Sequence, residues 1–125
     1  AGMSRNATDL DAAKDAVRVL RERFWREVGV PGAQAGINQP LERAGRLADF
    51  LEFGELLIDD ALHRNESCGS HFREEHQTDD NEALRNDDEY AYVAAWEYRG
   101  EDTAAALHRE PLEFIEVKPS VRSYK

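Results

Sequence analysis

The chain has 125 residues, of which 41% are hydrophobic, and a net charge of −10 at neutral pH. This length predicts one domain with a sizeable core, and the acidic balance argues against binding to nucleic acid or to an anionic membrane surface. The sequence contains no apolar run long enough to span a bilayer, and its single cysteine excludes an internal disulfide and favours a reducing compartment. We therefore expect a cytoplasmic protein.

The first predicted helix runs from about Thr8 to Val28. Thr8, with Asp11 three residues later, resembles a capping box at a helix N-terminus. Apolar residues then recur at steps of three and four, which is the spacing of one face of an α-helix. These residues are Leu10, Ala13, Val17, Leu20, Phe24 and Val28. Residues 30–37, rich in glycine and alanine, are predicted to form a loop between two antiparallel helices.

The second predicted helix runs from about Gln39 to Arg64, with Asn38 as its N-cap and Pro40 in its first turn. Its apolar residues form two stripes, which is typical of a helix buried on more than one side. The first stripe consists of Leu41, Ala44, Leu47, Ala48, Leu51, Ile58 and Leu62, and the second of Phe50, Phe53, Leu57 and Ala61. The first helix offers only one stripe, so it cannot cover both.

The uncovered stripe predicts a missing partner, because each large apolar side chain gains about 1.5–3 kcal/mol from full burial. A third helix would have to come from the rest of the chain, from a second copy, or from a larger polypeptide of which this is one end. We favour the larger polypeptide, because Met3 to Asn6 resembles the exit from an earlier element. Residues 1–78 are thus predicted to form part of a helical bundle.

The run from residue 63 to residue 77 contains three of the four histidines and the only cysteine. Gly69 predicts a backbone turn in its middle. A zinc site can be drawn through His63, Cys68, His71 and His76, and a thiol site through Cys68, His71 and Glu66. The run lacks the paired Cys-x₂-Cys pattern of zinc sites, and neighbours along a chain seldom form a catalytic thiol site. These alternatives rank below a polar corner that joins the loop to its neighbours.

The remaining residues, 79–125, are predicted to form an acidic loop, short strands and an extended tail of the same domain. The segment from Glu74 to Glu89 carries eight carboxylates against one arginine and is typical of a solvated loop. Alternating aromatic residues predict a strand over Tyr90 to Tyr98, and a second extended run is predicted over residues 107–117, with Pro111 at an edge. A turn is expected at residues 99–102, and the basic end, with Lys118, Arg122 and Lys125, predicts a surface tail.

The residues alone therefore predict a mainly α fold, an antiparallel helical hairpin followed by an acidic loop and a small β-hairpin with an extended tail. They contain no glycine-rich phosphate loop, so no nucleotide site is predicted. The function that they favour is an interaction domain, such as a free-standing helical scaffold that self-associates through the uncovered stripe.

Several segments carry a resemblance to a known family. They are Leu41-Glu-Arg-Ala-Gly-Arg-Leu-Ala-Asp-Phe-Leu-Glu, the stretch from Asp60 to Glu75, Tyr92-Val-Ala-Ala-Trp-Glu-Tyr, Leu107-His-Arg-Glu-Pro-Leu-Glu-Phe and Arg122-Ser-Tyr-Lys. Together they resemble the C-terminal region of the flavoprotein subunit of succinate dehydrogenase and fumarate reductase. The most specific element is Glu-Ser-x-Gly-x-His-x-Arg at residues 66–73. Cys68 stands where an arginine is usual, which resembles the succinate:menaquinone branch.

The resemblance implies that the hairpin supplies two helices of a spectrin-repeat-like three-helix bundle, whose first helix ends near Met3. It also implies a parent protein in which FAD exchanges a hydride with succinate or fumarate, and electrons pass to an iron–sulfur subunit and a membrane quinone. FAD and the catalytic residues would lie upstream, so no catalytic, cofactor-binding or metal-binding residue is expected in this chain, which should be inactive alone.

The partners implied by the resemblance are the upstream FAD-binding and capping domains, the iron–sulfur subunit and, indirectly, a membrane-anchor subunit. The chain would then lie on the cytoplasmic face of the membrane through these subunits, and it could form a homo-oligomer in isolation. Glu66, Ser67, His71 and Arg73 are the residues expected to form the polar corner that buttresses these contacts.

Overall fold

The computed structural model describes residues 2–32, 36–100 and 103–120. In chain order its elements are β1 (Ser4–Arg5), α1 (Ala7–Glu27), α2 (Gln39–His63), β2 (Phe72–Arg73), α3 (Asp87–Tyr90), β3 (Tyr92–Glu97) and β4 (Ala106–Pro111). The predicted helical hairpin with a small β region is confirmed. Residues 33–35 of the predicted loop, residues 101–102 of the predicted turn, and Arg122 and Lys125 of the predicted tail lie outside the described residues.

Helix α1 has the expected length but a different N-cap. The side chain of Asn6, not that of Thr8, accepts a hydrogen bond from the Asp9 backbone N–H at 2.8 Å. Asn6 also donates to the Asp9 carboxylate at 2.9 Å, so it is held at both ends of its amide. The capping box predicted at Thr8 is therefore wrong, because Thr8 already lies in the first turn.

Helix α2 begins and ends as the sequence predicts. Asn38 is its N-cap and accepts from the Leu41 backbone N–H at 3.2 Å, with Pro40 in the first turn. Arg64 is the C-cap, and its N–H donates to the Asp60 carbonyl at 3.1 Å. The N-cap residue Asn38 and the first-turn residue Pro40 act on their neighbours along the chain, which explains why the start of α2 could be recognised in the sequence.

The two helices pack through the C-terminal part of the first predicted stripe, at Ile58 and Leu62, together with Ala61 of the second stripe. Leu41 and Leu47 of the first stripe remain exposed. Leu10 is fully buried and forms a core with Ile58 and Ala61, surrounded by Ala13, Val17 and Leu62. Ion pairs flank this core: Glu55 contacts Arg18 at 2.5 Å and Arg21 at 2.9 Å. Since both arginines are substantially exposed, these pairs add little stability, and the packing of the apolar side chains carries the contact.

The second stripe of α2 is largely uncovered. Phe50, Phe53 and Leu57 are 67%, 57% and 55% exposed. Besides α1 and α2, the described part of the chain contains only the four-residue helix α3. No third long helix is therefore present there to cover these three side chains. The apolar surface that the sequence predicts in excess is therefore real.

Strands β3 and β4 form an antiparallel pair, with Tyr92 opposite Pro111 and Glu97 opposite Ala106. The even-numbered residues of β3 are half-buried and the odd-numbered ones are exposed, as the alternation predicts. The predicted bounds are wrong at one end of each strand, because Tyr90 belongs to α3 and β4 ends at Pro111 rather than continuing to residue 117.

The acidic segment is more ordered than a solvated loop. Gln77 and Ala83 form an isolated antiparallel bridge, and Arg85 makes a bidentate contact with Asp87 at 2.7 Å, next to α3. The one arginine of this segment thus neutralises a carboxylate at the start of a helix. Separately, neither long helix of the described residues is apolar enough to cross a membrane.

Candidate interaction site at the end of the helical hairpin

The loop that follows α2 lies next to the start of α1. Strand β1 pairs in parallel with β2, with Ser4 opposite Phe72 and Arg5 opposite Arg73. The Glu74 N–H extends this pairing by donating to the Arg5 carbonyl at 2.7 Å. The loop is therefore attached both to the residues that precede α1 and to the helix it follows.

Ser67 closes this loop on itself. Its side chain is fully buried; its hydroxyl accepts from the Arg73 N–H at 2.8 Å and donates to the Arg73 carbonyl at 3.1 Å. In the segment between Ser67 and Arg73, the backbones of Cys68 and His71 form two hydrogen bonds with each other, of 2.8 and 3.1 Å, around Gly69. Gly69 has a φ of +59°, so the turn predicted at this glycine is confirmed.

Arg73 caps the C-terminus of α2 from a buried position. It is 3% exposed, and its Nη1 donates to the carbonyls of Ala61 at 2.9 Å and Leu62 at 3.4 Å. The last carbonyls of a helix have no partner within the helix and carry partial negative charge. A guanidinium is a suitable partner there because it supplies both donors and positive charge.

Glu75 places a negative charge at the N-terminus of α1 and accepts a hydrogen bond there. Its carboxylate accepts from the Ala7 N–H at 2.5 Å and from Arg73 Nε at 3.2 Å. Partial burial raises the pKa of Glu75, but these hydrogen bonds, a further one from its own backbone N–H and the charge of Arg73 outweigh burial and lower the pKa to about 2. Arg73 and Glu75 thus place opposite charges on oppositely polarised ends of the two helices.

Glu66 attaches the loop to the acidic segment. Its buried carboxylate accepts from Arg64 Nε at 2.8 Å and from the Asn86 N–H at 2.9 Å. Arg64 also donates through Nη2 to the Tyr90 carbonyl at 3.1 Å. The buried negative charge is therefore paired and hydrogen-bonded, as a buried carboxylate requires.

His71 is held in one neutral tautomer. Its Nε2 lies 2.9 Å from the Arg64 carbonyl and therefore donates, while its Nδ1 lies 3.2 Å from Arg5 Nη1 and therefore accepts. Burial lowers the pKa of His71 below its usual 6.5; the hydrogen bond to the Arg64 carbonyl opposes this, and the charges of Arg5, Arg73 and Arg64 lower the pKa further.

The four residues predicted as the polar corner thus lie together in one network. The prediction missed Arg5 and Glu75, which complete it. Arg5 is 66 residues from His71 in the chain, so no local pattern pointed to their contact. Glu75 is likewise 68 residues from Ala7, so its contact with the start of α1 had no local signal either.

His63 belongs to a different cluster, at the contact between α2 and the β-hairpin. Its Nε2 lies 3.0 Å from the Tyr92 hydroxyl and 3.2 Å from Arg109 Nη2, and its ring packs edge-on against Trp96. Trp96 Nε1 donates to Asp60 at 2.8 Å. These contacts dock the hairpin on the last turns of α2, and they leave His63 outside the polar corner.

This arrangement gives little support to the metal and thiol alternatives. Within residues 2–32, 36–100 and 103–120, no three His, Cys, Asp or Glu side chains are placed to hold a metal ion. Both ring nitrogens of His71 are already hydrogen-bonded, and Glu66 is paired with Arg64. Neither is therefore available as a base for Cys68.

The sequence matches the protein family described as Fumarate reductase flavoprotein C-term, over residues 1–124. The chain belongs to this family. The resemblance found in the sequence is thereby confirmed at the level of the C-terminal domain of the fumarate reductase and succinate dehydrogenase flavoproteins. A comparison with curated proteins gives no significant match.

Flavoproteins of this family imply FAD in the parent protein, and two surface hollows of this C-terminal domain offer it a poor fit. Two concavities formed by the described residues are open hollows of about 440 and 320 Å³. The first has two carboxylates, Glu110 and Glu113, and no cation in its lining, and the second has two carboxylates, Asp88 and Glu89, beside one cation, Arg109. Carboxylates repel the diphosphate of a dinucleotide, which instead requires N–H donors and cations.

Proposed function

We propose that this chain is the C-terminal domain of the flavoprotein subunit of a succinate dehydrogenase or fumarate reductase, and that it supports the flavin domain without binding flavin itself. In this role the upstream domains bind FAD and the dicarboxylate. They also carry out the interconversion of succinate and fumarate. The iron–sulfur subunit is a direct partner, and the membrane anchor is an indirect one that holds the complex on the cytoplasmic face.

The observation that carries the proposal, beside the family match, is the uncovered stripe of α2. Phe50, Phe53 and Leu57 follow each other at steps of three and four, so they form one continuous face that remains exposed. A contiguous apolar face of this kind marks a surface that another protein element covers. The flavin and capping domains of the same subunit are the partners that the family offers.

The polar corner has a supporting part in this proposal. Glu66, Ser67 and Arg73 are buried and direct their hydrogen bonds into the chain, to Asn86, to the β2 backbone and to Ala61. They fix the end of the hairpin and hence the orientation of the apolar face. The face itself supplies the contact energy, about 1.5–3 kcal/mol for each large side chain that becomes buried.

The test is to produce the chain and the flavin-domain polypeptide of the same flavoprotein separately, and to measure their association by calorimetry. The isolated chain should show neither visible flavin absorbance nor dye-linked succinate oxidation. Phe53→Asp should weaken the association about tenfold or more, because a charge replaces a buried ring. Ile37→Asp is the matched control, since Ile37 is fully exposed outside the helices.

A flavin bound stoichiometrically by the isolated chain would overturn the proposal, as would equal association of Phe53→Asp and the parent chain. Sedimentation separates the alternative of a self-associating scaffold, for which the same uncovered face is the evidence. In that alternative the chain forms a tight dimer that Phe53→Asp dissociates, and it does not bind the flavin-domain polypeptide.

A further inference from the structure

We propose that the contact between Arg5 and His71 is an acid-sensitive fastening of strand β1, closed when His71 is neutral and opened when the ring is protonated. This is independent of the function proposed above. Strand β1 is the segment through which the chain leads into α1, so the state of His71 would decide how firmly that segment is held against the loop.

The first step concerns which hydrogen bond a proton would break. Nε2 of His71 donates to the Arg64 carbonyl at 2.9 Å and can do so in either charge state. Nδ1, in contrast, accepts from Arg5 Nη1 at 3.2 Å. An imidazolium has N–H groups on both nitrogens and a guanidinium can only donate, so protonation places two donors face to face. The proton therefore acts on the β1 side of the ring alone.

The second step concerns the charges around the ring. The groups whose charges act on His71 are guanidiniums from three different elements: Arg5 of β1, Arg73 of β2 and Arg64 at the end of α2. Two carboxylates of the same loop have other partners, since Glu66 pairs with Arg64 and Glu75 with Arg73. A positive ring would thus meet like charges, and the one that can move away is Arg5, which is half-buried in a strand of only two residues.

The third step concerns what else holds β1. Its backbone pairs with only two residues of β2, and the Glu74 N–H donates to the Arg5 carbonyl at 2.7 Å. Ser4 Oγ donates to the Glu74 carboxylate at 2.7 Å. Directly after β1, Asn6 Nδ2 donates to the Glu74 carboxylate at 3.4 Å and the Ala7 N–H donates to Glu75 at 2.5 Å, so the start of α1 stays attached to the loop, and Leu10 anchors α1 in the core. The two residues of β1 itself have few bonds, so loss of one more shifts the equilibrium between the paired and open strand.

The direction in pH follows from the neutral ring. The pKa of His71 lies below 6.5 in the closed form, through burial first and the guanidinium charges next. Once β1 opens, the ring regains solvent and its pKa returns toward 6.5. The open form thus binds the proton better, so the fastening is fully present above pH 6.5 and is lost as the pH falls below it.

The experiment measures hydrogen exchange of the Glu74 amide in the full chain, corrected for its intrinsic rate, across this pH range. We expect its protection to fall about two- to tenfold on acidification, the range that loss of one hydrogen bond gives. His71→Asn retains an acceptor toward Arg5 at every pH, and Arg5→Met removes the donor. Both should abolish the pH step, whereas His108→Asn, at an exposed histidine, should retain it.

Two results would overturn the proposal. One is a Glu74 amide whose protection does not change through the titration of His71, followed by NMR of its ring. The other is a step of the same size in Arg5→Met, which is independent of any effect of His71→Asn on folding. In either case the contact between Arg5 and His71 would be a static part of the loop.

Discussion

Replacing Arg73 by methionine should destabilise the chain by about 2–4 kcal/mol. Hydrogen bonds to a charged group contribute about 1.5–3 kcal/mol net, and the one from Nη1 to the Ala61 carbonyl, at 2.9 Å, has good length. The second, to Leu62 at 3.4 Å, is too long to add much. Methionine fills similar space but leaves the Ala61 carbonyl at the end of α2 without a donor. An unsatisfied buried carbonyl costs about 1–3 kcal/mol.

The pair between Arg73 and Glu75 adds little to this figure, because the Glu75 side chain is 39% exposed. The assay is urea unfolding followed by circular dichroism, with the midpoint converted to free energy at constant slope. Arg46→Met is the matched control, on the helix that Arg73 caps. Arg46 is largely exposed and pairs with Glu42, so its replacement should change the free energy of unfolding by less than about 0.5 kcal/mol.

Arg73→Lys separates the charge from the geometry. Lysine keeps the positive charge near the helix terminus but loses the planar arrangement of donors, so its loss should lie between those of the methionine variant and the control. A loss below about 1 kcal/mol for Arg73→Met, or equal losses in Arg73→Met and Arg46→Met, would refute the conclusion that this buried guanidinium caps α2.

Three further predictions concern other parts of the fold. Leu10→Ala should cost about 2–5 kcal/mol in urea unfolding, whereas Leu47→Ala, at an exposed position, should cost far less. The stability that Glu75 contributes is fully present above pH 4.5 and is lost as the pH falls toward 2. Glu75→Gln should therefore flatten the pH dependence of the unfolding midpoint between pH 4.5 and 2. An unchanged pH dependence would contradict the lowered pKa of Glu75. Trp96→Phe should cost about 1 kcal/mol by removing the bond to Asp60, and Asp60→Asn, which retains an acceptor, should cost less; equal losses would exclude that bond as the cause.

The parts of the fold that the sequence predicts well are those specified by near neighbours. The ends of α2 follow from Asn38 and from the apolar period, and the alternation of β3 follows from its even-numbered residues. The excess of apolar surface could also be deduced, because it needs only a count of stripes on two helices. None of these conclusions depends on which loop meets which helix.

What could not be predicted depends on contacts between distant residues. Thr8 and Asn6 both have side chains that can cap a helix; Asn6 is the cap, and the loop supplies Glu75 to the Ala7 N–H that follows it. Arg73 reaches carbonyls of α2 eleven and twelve residues earlier, across a turn. The sequence places the polar residues of this loop together, but only the fold shows that most of their bonds are internal.

The parallel pairing of Ser4 with Phe72 and of Arg5 with Arg73 brings the two flanks of the helical hairpin side by side. The chain therefore leaves the hairpin next to the point where it entered, whereas Glu27, the last residue of α1, and Gln39, the first of α2, lie at the other end of these helices. Extra residues inserted there would lengthen a loop at a cost of only about 0.6 kcal/mol per doubling. Insertions between α1 and α2 can consequently change the length of that connection while the pairing of β1 with β2 stays unchanged.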